Sequence, residues 1–300
     1  MKHTRHSAYL NGKKYVWNDS YGDYIFAFTP RSGNRVVKRW REDVAKLNAE
    51  GAAQSIGDDV DRRKAENEDF AAAVRIAVYS DDLANVPKTR AEKARDKEMI
   101  RRAKALGVDA TDGFTKAPAG VSELWTTQLE LAEKMFGTIG DVAYVMIKPG
   151  GFRDGVFASF NKDKKTLFIR DNMGVMGYTY VHKAIKDTKV YREDANYFST
   201  NCKEHIPRHE IGHAILYHIL ETVKEKYGEC GKNEIVKKLG KCHTEHFKES
   251  DDGIMKLSIR ASVSFKEMVA ESLAFEMSGK SNAITKEVLK ILGLKQGEER

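Results

Sequence analysis

The chain is poor in cysteine, with only Cys202, Cys230 and Cys242 in 300 residues. Three such widely spaced thiols exclude a disulfide scaffold and make a reducing compartment the expected setting. No stretch approaches the roughly 18 apolar residues that cross a bilayer, so a membrane-spanning helix is not expected. The opening MKHTRHSAYLNGKKYVW has basic residues but no apolar segment behind them, so a secretory signal peptide is not expected either. Together these absences point to a protein made and kept in a cytoplasm, unless a partner or another secretion route carries it out. Internal repeats and low-complexity tracts are also missing. Charge of one sign is never massed: the net charge is +7, yet Lys and Arg alternate with Asp and Glu. That pattern reads as a basic, well-solvated surface, with nucleic-acid binding through the 31–41 and 88–104 segments as the alternative. No sequence feature fixes an oligomeric state.

What is present is a globular balance, 41% hydrophobic and 32% charged, enough to bury at least one full core. The expected class is α+β, in two parts. Residues 1–118 form a β-hairpin or meander (SAYL, KKYVW and DYIFAF, split by Asn-Gly and Tyr-Gly) followed by a charged helical region over about 36–106. Thr89 and Glu92 have capping-box spacing, and Gly107 supplies a stop. The Gly- and Pro-containing stretch VDATDGFTKAPAG reads as a linker. In the second part, residues 119–300, Ser122 caps a helix with a Leu124, Leu129, Leu131 and Phe136 face. VAYVMI reads as a buried strand, and GVFASF and TLFIRD as a hairpin around NKDKK. A loop-rich stretch then runs to about residue 200.

The chemistry sits in PRHEIGHAILYHIL. Residues four apart share a helix face, so the imidazoles of His209 and His213 can hold one cation. Glu210 lies beside them as a general base. Pro207 fits only in a first turn, so the helix should begin near Lys203. Ile211, Ala214, Ile215, Leu216 and Ile219 mark the helix as buried, where two unpaired histidines would be costly. Gly212 costs about 1 kcal/mol inside a helix, which points to close approach by another backbone. Catalytic zinc takes three protein ligands and keeps one position open. Downstream, SFKEMVAESLAFEM offers Glu267 and Glu271 on one face, one to ligate and one to brace a histidine. The plainer reading of Glu267 is a capping box with Ser264.

These residues resemble the anthrax-lethal-factor-like zincins (gluzincins) and related metallopeptidase domains of phage, prophage and polymorphic toxins. The likeness runs over about 205–278, in HEIGHAI followed by LSIRASVSFKEMVAESLAF. It implies a zincin-like domain, bound Zn²⁺ and a protein or peptide substrate laid along an edge strand, GVFASF or TLFIRD. His209, His213 and Glu267 would be the ligands, Glu210 the base and Glu271 the brace. Where the family places an oxyanion-stabilising tyrosine, this chain has Arg260. An arginine there can also steady an oxyanion, and Tyr217 or His205 could substitute.

Other readings stay open. Arg260 also suits a zincin-fold structural, virion or binding protein without turnover. His243, in KCHTEHFKE, has a faint likeness to the third-ligand region of SprT-like proteases, which would make a nucleic-acid-associated protease. Cys230, Cys242, His243 and His246 could hold a second metal, although their spacing matches no zinc ribbon and surface residues are the plainer explanation.

Overall fold

The computed structural model describes residues 87–151, 156–175, 177–179, 181, 197–248 and 253–294, and the backbone of 7–10, 13–18 and 23–27. The expected 36–86 part of the helical region and the basic 31–41 segment lie outside these residues. The fold is helix-rich α+β with two small sheets. The first is an antiparallel meander of β1 (Ser7–Leu10), β2 (Lys13–Asn18) and β3 (Asp23–Ala27). The period of the apolar and aromatic residues and the Asn-Gly turn made it readable.

Helix α1 (Arg90–Ala105) starts at a reciprocal capping box between Thr89 and Glu92. It joins α3 (Val121–Phe136) through the buried Asp96, which accepts from Ser122 Oγ at 2.6 Å and pairs with Lys88 at 2.6 Å. Between them, 108–120 is not the expected linker. It holds α2 (Thr111–Lys116), and Val108, Ala110, Phe114 and Ala117 are fully buried. Gly113 is there for packing: a Cβ would lie 2.6 Å from the Val145 carbonyl oxygen. The core therefore runs on across position 118, from Met99 to Leu292.

The second sheet has the order β4-β6-β5, with β4 (Tyr144–Ile147) parallel to β6 (Thr166–Ile169) and β5 (Ser159–Asn161) antiparallel to it. β6 is the central strand, so TLFIRD is not the edge; β5, at the end of GVFASF, is. A fully buried Trp125 on α3 donates to Tyr178 Oη at 3.1 Å and anchors the core beneath.

The long helix α4 (His205–Lys248) carries the histidines and breaks at Gly228, whose φ of 71° is the left-handed region glycine tolerates. It starts two residues later than expected, with Pro207 in its first turn. Beyond it come α5 (Ile254–Leu257), a 3₁₀ turn over Arg260–Val263, α6 (Phe265–Glu276) and α7 (Ala283–Leu292).

Candidate metal centre

Two backbone approaches fix the first half of α4. A Cβ on Gly212 would lie 3.0 Å from Ala270 Cα, so α6 crosses α4 against bare backbone, as the glycine implied. Gly140, at φ +70°, meets Ala214 on the other flank, where a Cβ would come within 2.3 Å of its carbonyl carbon. With α6 this close, its glutamates reach the histidines.

His209 Nε2 and His213 Nε2 are 3.1 Å apart. Glu267 Oε2 is 3.1 Å from the first and 3.7 Å from the second. Ligand atoms about 2.0–2.1 Å from one tetrahedral zinc stand roughly 3.3 Å from each other, and the three observed separations bracket that value. Ser264 does cap α6, accepting from the Glu267 N–H at 3.3 Å. The capping box is not reciprocal, however, because the Glu267 side chain turns to the histidines instead.

Behind this trio lies a second, fully buried group, His205–His209–Glu271, whose ligand atoms also lie close enough to hold a metal ion. Glu271 Oε1 is 3.1 Å from His205 Nε2 and 2.8 Å from His209 Nδ1. The latter is ion-pair distance without hydrogen-bond alignment, and it leaves Nδ1 buried with no aligned partner. The other Glu271 oxygen accepts from the Ser199 N–H at 2.6 Å, and His205 Nδ1 meets Thr200 Oγ1 at 2.9 Å. Glu271 has no exposed side-chain surface, whereas the side chains of His213 and Glu267 are 14% and 17% exposed. His205, His209, Glu210 and Arg260 line a cleft together with Val156, Phe157, Ala158, Tyr197, Phe198 and Ile206.

The electrostatics follow from this burial. Desolvation would raise the Glu271 pKa, but His205 and His209 outweigh it and hold the carboxyl well below its ordinary value. Glu267 is burdened by desolvation too, and the neighbouring His209, His213 and Arg260 keep it far below the carboxylate range. Burial alone would lower His209; Glu267 and Glu271 instead raise it to about 10. His205, where desolvation outweighs the pull of Glu271, is lowered and neutral. In the metal-free chain a proton on His209 therefore sits where a cation would bind. The donor set of two imidazoles and a carboxylate, with Glu271 at the far nitrogen of His209, fits a divalent metal.

Glu210, beside the histidines, accepts the Phe160 N–H of β5 at 2.8 Å. Arg260 lines the cleft, and its Nε donates to Glu267 Oε2 at 2.8 Å. Tyr217 is not brought to the cleft. It packs against Phe160 with ring centroids 6.3 Å apart, flanked by the ammonium groups of Lys162 and Lys266. His243 is not at the histidine pair either, since its Nε2 meets the Ser262 carbonyl at 3.1 Å. Nor is the Cys242–His246 segment merely surface: Cys242 is buried and both histidines are half-buried. His218 pairs with Asp141 at 2.8 Å.

No family model, curated protein or solved structure matches this chain. The functional reading therefore stands on the residues themselves. Those that composition could not show are Ser199, Thr200, Tyr197 and the Phe160 amide, which reach the site through loops or backbone. No helix among the described residues is long and apolar enough to cross a membrane.

Proposed function

We propose that the protein is a zinc-dependent metalloendopeptidase acting on a protein or peptide, with His209, His213 and Glu267 as the ligands. The observation that carries this reading is the set of three ligand separations, 3.1, 3.1 and 3.7 Å, beside a cleft that His209 and Glu210 line. The outer trio is preferred to the inner group because a catalytic ion needs an open position: the side chains of His213 and Glu267 are partly exposed, while Glu271 is wholly enclosed. A zinc ion held there would supply Lewis acidity and make water a nucleophile near neutral pH.

The chain's own residues do the rest. Glu210 takes a proton from water in the cleft and returns it to the leaving amine. Its carboxylate is aimed by the Phe160 N–H. Glu271, 2.8 Å from His209 Nδ1, places a negative charge behind that ring. Arg260 offers its guanidinium to the oxyanion, the task the resemblance gives a tyrosine. The outer edge of β5 would receive an extended substrate by backbone hydrogen bonding, displacing or flanking the Glu210–Phe160 contact.

Metal analysis of the purified chain, paired with hydrolysis of unfolded protein substrates, tests this. Stoichiometric zinc with turnover is expected. Glu210→Gln should retain the metal and lose activity by roughly 10²–10⁴-fold. A chain without zinc would end the proposal. The contact between Arg260 and Glu267 favours one second reading, a zincin-fold binding protein, for which zinc would be bound and no substrate cleaved.

A further inference from the structure

We propose that Cys242, His246 and Glu287 form a separate zinc site that fastens the far half of α4 to α7. Cys242 and His246 are four apart on α4 and so share one face. Glu287 comes from the first turns of α7, whose buried Ile284, Val288 and Leu289 dock it in the core. The sulfur, a ring nitrogen and a carboxylate oxygen lie within 4.8 Å of one another, and His246 Nε2 is 2.9 Å from Glu287 Oε2. Tetrahedral zinc would set such atoms roughly 3.3–3.6 Å apart, so the His246–Glu287 pair would open by a few tenths of an ångström, which rotamer adjustment can supply.

Exposure grades across the trio. Cys242 is 1% exposed, while the side chains of His246 and Glu287 are 14% and 43% exposed. The sulfur end is closed by protein and the carboxylate end faces solvent, where water completes four-coordination. A thiolate with an imidazole suits zinc and is unsuited to magnesium or calcium. The site has a mechanical place as well. His243, next to Cys242, holds the Ser262 carbonyl of the 3₁₀ turn that carries Arg260. Pinning α4 to α7 steadies that turn from behind.

Cobalt(II) in place of zinc tests this independently of the peptidase reading, because the His209–His213–Glu267 trio contains no sulfur. The full chain, stripped and reloaded, should show a near-ultraviolet thiolate-to-cobalt charge-transfer band. Cys242→Ser should abolish the band and remove one metal equivalent, whereas His209→Ala should keep the band. A single equivalent with the band would still support this site while counting against the other. Absence of the band in the wild type, or its survival in Cys242→Ser, would overturn the proposal. If Cys242→Ser does not fold, Glu287→Gln at the solvent-facing end takes its place. It should weaken cobalt binding at the thiolate band by roughly tenfold or more, and an unchanged affinity would equally overturn the site.

Discussion

Glu271 shows how much one side chain can organise. Its oxygens meet His205, His209 and the Ser199 N–H with no exposure to solvent. Glu271→Gln keeps the shape but not the charge, and zinc affinity should fall roughly 10–100-fold in competition with a chelator. Arg260→Ala should leave zinc content intact and lower kcat by about 10²–10³ if the guanidinium steadies the oxyanion. At this scale much was legible: helical spacing put His209 with His213 and Glu267 with Glu271 on shared faces, and the two faces do meet. Tyr217 could stand in for the family's tyrosine on sequence, but spacing says nothing of the neighbouring strand, and Phe160 and two lysines claim its ring. His205 drew notice as a cleft residue; its bond to Glu271 depends on where α6 lies, which no local pattern gives.

Among the elements, glycines decide how α4 meets its neighbours. Gly140→Ala demands a left-handed φ from alanine and drives a methyl into Ala214 backbone. It should cost about 2–3 kcal/mol, read as a lower urea midpoint. Gly212→Ala gains about 1 kcal/mol of helix propensity but must push α6 away by a few tenths of an ångström. Its larger effect should therefore appear in zinc affinity. The capping box of α1 and the closeness implied by Gly212 were readable because each is a local demand. The false linker at 108–120 has a local cause too: Gly113 and Pro118 look like loop residues. Ala110, Phe114 and Ala117, at helical spacing, are the buried face that outweighs them. The order β4-β6-β5 was beyond the sequence, since a parallel pairing between β4 and β6 leaves no turn signature.

For the molecule as a whole, the buried titratable groups shape stability against pH in the metal-free chain. His205 is lowered, so its contribution is lost as pH falls below its ordinary 6.5. The depressed Glu267 and Glu271 lose theirs below the ordinary 4.5. His209 is raised, so its contribution is complete below 6.5 and disappears as pH rises through about 10. Cys242, pushed up to about 12 by burial and then by Glu287, adds an alkaline loss that begins near its ordinary 9.0. The melting temperature should therefore peak near pH 6.5 and fall on both sides. In His209→Phe the decline between 6.5 and about 9.0, where the Cys242 loss begins, should vanish. A core shared from Met99 to Leu292 should make the described helical body melt in one transition.

The Glu210–Phe160 bond gives the protein an internal spectroscopic gauge. A charged acceptor pulls the bonded amide proton downfield, and a neutral one releases it. In a ¹⁵N-labelled chain the Phe160 resonance would therefore report on the Glu210 carboxylate during metal loading and on the arrival of a peptide at β5. It would watch the proposed general base directly, without a substrate being turned over.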